Sequence, residues 1–271
     1  MKWIIGDCHG CYNTLIYLLQ KLPNNAEPKD IVFVGDLIDR GPDSRKIINF
    51  VRDGGYTCLQ GNHEQLMIEA FDDYKLYNEP LNYQNGWILN GGLITLSNYL
   101  DNGEVDFISL EKDVEWMRNL PTIKIFPETD NNDRKLIITH AVSVSFIDRF
   151  FYLSNKYSEI EYDELDIETA HQLTNMGQLI VWNRSIPNVG SDNFFNVSGH
   201  NIIENFIHNR DGELIIDKKY LVNDIIINDD LGYACIDTGV FIKTLKENTG
   251  KITCLEFPSM KVYQQKNIEK D

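Results

Sequence analysis

Residues 31–41 read IVFVGDLIDRG, and this stretch decides the fold class of the chain. Its first four residues are apolar and run directly into Gly35 and Asp36, without an alternating polar position. A short apolar run that ends at a glycine is typical of a strand buried on both faces. In α/β proteins, ligand-binding residues gather at the carboxyl ends of such strands. We therefore predict a buried strand that presents Asp36 at its end.

The same arrangement, an apolar run followed by a polar residue, recurs along the chain. The recurrences are Asp7 after 3–5, Asn62 and His63 after 56–60, His140 after 136–138, His200 after 195–197, and Asp237 after 233–236. Helical patterns at 14–19 and 44–51 separate the first runs. A strand–helix–strand order predicts right-handed crossovers and a sheet that begins with parallel strands. The pattern as a whole predicts an α/β fold.

The remaining stretches predict additions to a single domain that spans residues 1–271. Helical periodicity covers about 64–120 and about 155–180, and we expect these two insertions to form a cap or groove wall over the strand ends. Apolar and polar residues alternate over 213–227 and 251–262, which predicts antiparallel strands. The polar tail that follows them is expected to be frayed.

Composition narrows the classes of protein that fit. The chain has 271 residues, of which 42% are apolar, so a sizeable core is available. Its formal charge is −16, from 25 basic and 41 acidic residues. A strongly acidic surface repels a phosphate backbone, which argues against stable nucleic-acid binding. No apolar segment approaches the roughly 20 residues of a membrane span, and no signal-peptide pattern precedes the first strand. We expect a cytoplasmic protein without a membrane partner.

The cysteines leave one alternative open. There are five of them, and an odd number without a secretory pattern argues for reduced thiols. Cys8 and Cys11 have the C-x-x-C spacing of redox and zinc sites. The sequence has no second such pair that would complete four thiolate ligands, so the redox or zinc-ribbon interpretation is the weaker one.

Side chains that bind metals cluster at the predicted strand ends. The strand-end residues of this kind are Asp7, His9, Asp36, Asn62, His63, His140 and His200. A lone histidine is more often structural, but this joint pattern indicates a metal centre. The other histidines, His171 and His208, lie outside such contexts and are expected to be surface or structural residues. Mixed imidazole, carboxylate and amide ligands suit Mn, Fe, Zn, Co or Ni better than Mg or Ca.

This ligand set has room for two cations. The expected metal ligands are Asp7 and His9 at one site, Asn62, His140 and His200 at the other, and Asp36 as a bridge. Two divalent cations against two aspartates leave a charge of about +2, which favours an anionic substrate such as a phosphate. Two metals roughly 3.5–4 Å apart can activate water and clamp an in-line displacement at phosphorus. We expect manganese ahead of iron, zinc, nickel or cobalt.

Three motifs near the start of the chain resemble those of a known family. They are Gly6-Asp7-Cys8-His9-Gly10, Gly35-Asp36-Leu37-Ile38-Asp39-Arg40-Gly41 and Gly61-Asn62-His63-Glu64. Their content and order are similar to those of the calcineurin-like metallophosphoesterases, and more narrowly to the bacterial and phage Ser/Thr phosphatases of the phosphoprotein phosphatase family. Ala141 follows His140 where eukaryotic members usually carry glycines. The resemblance implies a central β-sandwich of mixed sheets flanked by helices.

The resemblance also implies roles for individual residues. His63 would protonate the leaving oxygen as general acid, with Asp39 orienting its imidazole. Arg40 would grip the phosphoryl oxygens by bidentate hydrogen bonds, and Arg184 looks like the second phosphate-binding arginine of the family. Asn62 and His63 would also face the substrate phosphate. Attack would come directly from a metal-bridging hydroxide, so no covalent phosphoenzyme is expected.

The choice of phosphoester is left open by the sequence. We expect a phosphomonoesterase acting on a phosphorylated protein, a peptide or a small molecule. A hydrolase of diadenosine polyphosphates or related nucleotides is the alternative, because residues 90–95 resemble a segment that both classes share. The chain lacks the expected glycine-rich step after Gly239, which affects the substrate-facing loop. An inactive scaffold would be expected to lose Asp39, Arg40 or His63, and all three are present.

Overall fold

Two β-sheets pack face to face in the computed structural model of the chain. The structure describes residues 1–82, 85–141, 164–165, 181–184, 190–206, 208, 216–242 and 249–269. The strands in these residues are β1 (Lys2–Ile5), β2 (Ile31–Phe33), β3 (Thr57–Cys58), β4 (Leu100–Asp101), β5 (Glu104–Val105), β6 (Ile123–Thr129), β7 (Lys135–Thr139), β8 (Glu164–Leu165), β9 (Phe194–Ser198), β10 (Leu221–Val222), β11 (Ile225–Asn228), β12 (Tyr233–Cys235), β13 (Lys251–Phe257) and β14 (Lys261–Lys266).

Helices cover the outer face of the first sheet. The α-helices of the described residues are α1 (Tyr12–Leu19), α2 (Ser44–Asp53), α3 (Asn62–Tyr77), α4 (Leu93–Ser97), α5 (Phe107–Arg118) and α6 (Ile203–Phe206). The helices predicted at 14–19 and 44–51 are thus present as α1 and α2. Helix α2 shows why: Ser44, Ile47, Ile48 and Val51 are buried, which is the spacing of a single helical face.

The order of the strands places the predicted site residues on common edges. Within the described residues, the first sheet runs β14-β13-β1-β2-β3 and the second runs β10-β11-β12-β9-β7-β6-β8. In the first sheet β1, β2 and β3 are mutually parallel. In the second sheet β7, β9 and β12 are mutually parallel. Every strand that leads into a predicted site residue belongs to one of these two parallel sets, so those residues share the C-terminal edge of their sheet. The mixed α/β sandwich expected from the sequence is confirmed.

Alternating side chains divide the core into two layers. Along β1, Ile4 faces the interior of the sandwich, where it packs with Val32, Leu136 and other buried residues of both sheets. Its neighbours Trp3 and Ile5 face the opposite way and join the core under the helices. Because successive side chains of a strand point to opposite faces, an uninterrupted apolar run supplies both layers.

The first predicted insertion, about 64–120, contains α3, α4 and α5. A π-helical turn at Ile88–Gly92 precedes α4, and the short antiparallel hairpin β4–β5 precedes α5. Neither this hairpin nor β6 was predicted from the sequence. The pairing of β6 with β7 changes register between Ile125 and Thr129, around Pro127. A proline inside a strand is an argument against a strand in sequence reasoning, although irregular positions tolerate it.

The second predicted insertion, about 155–180, lies outside the described residues except for Glu164–Leu165. These two residues form β8 beside β6 instead of a helix. His171 also lies outside the described residues, and His208 is exposed. Among the described residues, no helix is long and apolar enough to cross a membrane.

The expectation of a frayed tail from Gln264 is wrong for the part that the structure describes. Strand β14 continues to Lys266, and Asn267 and Glu269 are both buried. The Glu269 carboxylate accepts hydrogen bonds from the backbone N–H and hydroxyl of Thr14 and from the amide of Asn13, at 2.8–3.1 Å. A carboxylate at the first turn of α1 also interacts favourably with the helix dipole.

We predict that Glu269→Ala lowers the free energy of unfolding by about 1–3 kcal/mol, because it leaves a buried N–H of α1 without its acceptor. Urea denaturation of the metal-free protein measures this difference. Glu27→Ala is the control: the Glu27 side chain is 59% exposed and its loss should matter by less than about 0.5 kcal/mol. Equal midpoints for both variants would contradict a docked tail.

Candidate metal centre and active site

The strand ends of the two sheets meet at Asn62, the first residue of α3. The side-chain oxygen Oδ1 of Asn62 lies 3.1 Å from Nε2 of His140 and 2.8 Å from Nδ1 of His200. Asn62 comes from the first sheet, whereas both histidines follow strands of the second. This contact therefore joins the C-terminal edges of the two sheets into one site.

The carboxylate of Asp36 lies at the centre of two possible metal-binding groups. One group is Asp36 with His9 and His63, and the other is Asp36 with His140 and His200. Within each group the ligand-type atoms lie within 4.8 Å of one another, and every member is buried. Asp36 is thus the residue that both groups share, as a bridging ligand would be.

Backbone carbonyls set the orientation of two imidazoles. Nδ1 of His9 lies 2.9 Å from the carbonyl of Ile38, and Nδ1 of His140 lies 2.9 Å from the carbonyl of Val34. Because a carbonyl only accepts, each Nδ1 must carry the proton, which leaves the lone pair of Nε2 directed into the site. In His140 that lone pair faces the Asn62 oxygen. Two acceptors that face each other at this distance are arranged as a bound cation would require.

Burial favours the neutral form of the same histidines. It is the largest cause that lowers the pKa of His9 and of His140, and it lowers the pKa of His200 to about 3. Burial raises the pKa of Asp36, but the nearby His140, His63 and His9 outweigh it and the net shift is downward. Neutral imidazoles around an ionised carboxylate are the protonation states that bind metals.

Asp7 is buried at the same edge, but it belongs to neither group within the described residues. Its carboxylate oxygens accept the backbone N–H of His200, both at 3.2 Å. Burial is the largest cause that raises the pKa of Asp7, followed by the charges of Asp237 and Asp36. Burial also raises the pKa of Asp237 to about 6. Asp237, which follows β12, is an acidic neighbour that the sequence had placed at a strand end without a role.

His63 and Asp39 form a buried pair. Nδ1 of His63 lies 2.7 Å from Oδ2 of Asp39, and the Asp39 carboxylate is completely inaccessible. Burial alone would lower the pKa of His63, but Asp36 and Asp39 outweigh it and the net shift is upward. Nε2 of His63 faces the metal-binding groups, 3.9 Å from Oδ2 of Asp36.

Arg40 lies between His9 and an aromatic ring that the sequence did not single out. Its Nη1 is 2.6 Å from Nε2 of His9, and its Cζ is 4.1 Å from the centre of the Phe241 ring. The Phe241 ring also contacts the His9 ring edge-on, with centroids 5.0 Å apart. Phe241 follows Gly239, in the loop where the expected glycine-rich step is missing. An aromatic residue therefore adjoins Arg40 in that loop.

Arg184 lies at the rim of the site. It is exposed, and its charge contributes to the lowered pKa of His140 after the larger effect of burial. The preceding Trp182 donates a hydrogen bond to Gln65 of α3 at 3.0 Å, and its ring lies 6.4 Å from that of His200. These contacts bring the 181–184 segment to the edge that carries the metal-binding groups.

Glu64 fastens the second and third motifs together. Its carboxylate accepts the backbone N–H groups of Asp36, Leu37 and Gly61, each at 2.8 Å. The sequence signal for this was the glutamate three residues after Gly61, which is the spacing of a capping box at a helix start. That signal explains only the bond to Gly61, because the two longer-range partners depend on the tertiary structure.

Left-handed backbone is concentrated in this site. Non-glycine residues with positive φ include His9 (41°), Asp36 (49°), Asp39 (73°), Arg40 (69°) and His200 (63°). Such conformations are costly for residues with a Cβ and persist where surrounding contacts over-determine them. Here those contacts include hydrogen bonds from the N–H groups of Cys8 and His9 to the carbonyl of Asp36, at 3.0 and 2.9 Å.

The cysteines take no part in this geometry as reactive groups. All five are buried thiols, and none of them is part of a disulfide. Burial is the largest cause that raises the pKa of the Cys8 thiol, and the charge of Asp7 adds to it. A protonated, inaccessible thiol is a poor nucleophile, so the redox interpretation of the Cys8 and Cys11 spacing receives no support.

Comparison with known proteins places the chain in a family. The family model described as calcineurin-like phosphoesterase matches residues 3–229. The chain therefore belongs to the calcineurin-like phosphoesterases. The solved structure of a candidate diadenosine tetraphosphatase superposes with a TM-score of 0.50, covering 97% of this chain and 91% of that one, at 17% identity. At that identity the likeness concerns the fold.

The curated relatives carry two kinds of name. Serine/threonine-protein phosphatase 1 of Salmonella typhimurium is 36% identical over 90 residues, which cover 33% of this chain and 38% of the relative. The symmetrical bis(5'-nucleosyl)-tetraphosphatase of Erwinia tasmaniensis is 30% identical over 142 residues, which cover 51% of this chain and 43% of the relative. The chain thus matches less than half the length of these relatives.

We predict that Glu64→Gln destabilises the metal-free protein by about 1–3 kcal/mol, since an amide has one acceptor oxygen and at least one buried N–H would lose its partner. Chemical denaturation measures the loss. Glu69→Gln is the matched control, because Glu69 is an exposed glutamate of the same helix. An unfolding curve for Glu64→Gln that coincides with that of Glu69→Gln would show that the three hydrogen bonds contribute little.

Proposed function

We propose that the chain is a dinuclear-metal phosphomonoesterase that acts on phosphoserine or phosphothreonine in proteins and peptides, or on small phosphoesters. One observation carries the proposal: two metal-binding groups share Asp36, and the His63–Asp39 pair and Arg40 lie at the same strand ends. This combination provides sites for cations, a proton donor and an anion-binding guanidinium within one buried edge. Membership in the calcineurin-like phosphoesterases supports it.

The residues present fit two divalent cations. We propose that Asp36 bridges them, that Asp7 and His9 serve one cation, and that Asn62, His140 and His200 serve the other. The opposed lone pairs of His140 and Asn62 favour this assignment. When bound, the cation pair supplies an activated water as nucleophile and positive charge for the phosphoryl oxygens.

Arg40 has to shift for His9 to bind a cation through Nε2, because Nη1 of Arg40 lies 2.6 Å from that nitrogen. The shift moves the guanidinium away from the histidine and leaves its N–H groups free for a phosphoryl group. A planar guanidinium binds two phosphoryl oxygens at once, which an ammonium group cannot do. We propose that Arg184, at the rim of the site, is the second phosphate ligand.

His63 supplies the proton that the leaving oxygen needs. The 2.7 Å contact with Asp39 holds Nδ1–H and directs Nε2–H toward the substrate. Asn62 and His63 both lie at the edge that carries the metal-binding groups, and we propose that both also contact the phosphoryl group. Protonation matters most for alkoxide leaving groups such as serine and threonine, which are strongly basic.

A second candidate function has its own support. Relatives named bis(5'-nucleosyl)-tetraphosphatase match about 141–142 residues of the chain, the same length as the relative named serine/threonine-protein phosphatase 2 of Salmonella typhimurium. We therefore keep hydrolysis of diadenosine polyphosphates as the alternative. The same strand-end groups can serve it, because the reaction again displaces an oxygen at phosphorus. A preference for manganese and a cytoplasmic location remain predictions from the sequence.

The substrate assay that tests this proposal uses the protein loaded with Mn, Co, Ni or Zn. It is offered p-nitrophenyl phosphate, a phosphoserine or phosphothreonine peptide, and diadenosine tetraphosphate, with identification of the products. We expect release of inorganic phosphate from the first two. Release of nucleoside diphosphates as the fastest reaction would promote the alternative, and no turnover with any metal would overturn both functions.

We predict that His63→Asn keeps two metals per chain and loses about 10²–10⁴-fold in kcat toward the phosphopeptide, the usual contribution of a general acid. Loss toward p-nitrophenyl phosphate should be much smaller, since its leaving group needs no proton. Metal content is measured by plasma mass spectrometry, and exposed His208→Asn is the control. Loss of one metal would instead identify His63 as a metal ligand. Equal losses of kcat toward both substrates would contradict its role as general acid.

A further inference from the structure

The segment 87–95, between α3 and α5, reaches beneath the active site. Nε1 of Trp87 donates to both carboxylate oxygens of Asp39, at 3.0 and 3.2 Å. The hydroxyl of Thr95 donates to Oδ1 of Asp39 at 2.7 Å. Trp87 and Thr95 are both buried, so water does not replace these donors. Together with His63, they give the Asp39 carboxylate three partners.

Thr95 also holds the backbone of Asp39. Its oxygen accepts the Asp39 N–H at 2.9 Å, and the hydroxyl of Ser44 lies 3.0 Å from the same nitrogen. The two hydroxyls are 2.9 Å apart, so Ser44 can donate to Thr95 while Thr95 donates to the carboxylate. Every polar atom of this small network has a partner. It supports a left-handed residue that would otherwise be strained.

Gly91, in the same segment, packs directly on Arg40. Its carbonyl accepts the Arg40 N–H at 3.4 Å, and its own φ is +108°. A Cβ at this position would lie 2.9 Å from Cγ of Arg40 and 3.1 Å from its backbone nitrogen. The close approach and the positive φ both require glycine, because any other residue would displace the arginine.

We propose that Trp87, Gly91 and Thr95 are positioning residues for the Asp39–Arg40 pair. The inference rests on the function proposed above and assigns a task to part of the insertion that the sequence predicted only as a cap or wall. Trp87 and Thr95 hold the Asp39 carboxylate in the plane that orients His63. Gly91 fixes the base of the Arg40 side chain. One segment thereby aligns the proton donor and the phosphate-binding group with each other.

Loss of the contacts with Asp39 and loss of the contact between Gly91 and Arg40 should cause different defects. Loss of the donors to Asp39 frees its carboxylate to rotate and misdirects His63, which slows reactions that need leaving-group protonation. A side chain at position 91 displaces Arg40, which weakens phosphate binding. A displacement of about 1 Å at a reacting group can cost as much as about 10²-fold in rate. A role confined to folding would affect all substrates and phosphate binding alike.

The first test compares Thr95→Val, which removes the hydroxyl at nearly constant volume, with Thr95→Ser, which keeps the hydroxyl and removes only a methyl group. Thr95→Val should lose at least about tenfold in kcat toward the phosphopeptide, with a much smaller loss toward p-nitrophenyl phosphate. In Thr95→Ser, the ratio of kcat toward the phosphopeptide to kcat toward p-nitrophenyl phosphate should equal that of the wild type. Trp87→Phe should repeat the pattern of Thr95→Val. Equal ratios in Thr95→Val and Thr95→Ser would overturn the role of the hydroxyl.

The second test uses Gly91→Ala and binding of inorganic phosphate to the metal-loaded protein by calorimetry. The dissociation constant should rise at least about tenfold, whereas Thr95→Val should change it much less because the backbone contact with Arg40 is kept. Leu89→Ala is the control from the same segment, because Leu89 is 67% exposed. Unchanged phosphate binding in Gly91→Ala would overturn the positioning role of Gly91.

A spectroscopic measurement separates this inference from the proposed activity. The His63 Nδ1 proton, held 2.7 Å from Asp39, should give a strongly downfield proton resonance in wild type and Thr95→Ser. In Thr95→Val this proton resonance should be lost or should move upfield. Thermal unfolding of Thr95→Val is also recorded, to check that the variant is folded. If no phosphoester is hydrolysed but this pattern appears, the proposed function fails and the positioning role stands. An unchanged resonance in Thr95→Val overturns the positioning role.

Discussion

Burial of the Asp36 carboxylate is the constraint on which the rest of the site depends. A charged group inside a protein is costly unless its oxygens find strong partners. Asp36 meets this requirement through the backbone N–H of His63 at 3.0 Å and through the surrounding imidazoles. Its own backbone meanwhile binds the first motif and Glu64. One residue at a strand end thus joins three motifs and both sheets.

The sandwich explains how residues so far apart in the chain share one site. Parallel strands place their C-terminal ends on one edge, and each sheet contributes one such set. Packing of the apolar interior between the sheets keeps those two edges next to each other. Asn62 then spans the gap, which lies between strands separated by more than seventy residues of sequence. The site is a property of the packed pair of sheets, and neither sheet carries it alone.

In an acidic chain, a site for an anionic substrate would need its positive charge concentrated. The formal charge is −16, so the field far from the site repels anions. Cations bound beside Asp36, with Arg40 and Arg184 nearby, would reverse that field locally. The Phe241 ring lies against Arg40 and adds an apolar surface beside the guanidinium. Phe241 lies in the loop where the chain departs from the expected glycine-rich step.

The sequence by itself determined the strand ends and most of the candidate site. Apolar runs that stop at a polar residue are local signals, and parallel strands convert them into neighbours on one edge. Only the tertiary structure decided the two longer-range partners of Glu64, the contact of Phe241 with Arg40, the docking of Glu269 on α1, and the placement of Trp87 and Thr95 beneath Asp39. Strand β6 was not predicted: it contains Pro127, and a proline argues against a strand in a sequence pattern. These contacts join residues tens to hundreds of positions apart, and hydrogen-bond geometry over such separations leaves no periodic trace in the chain.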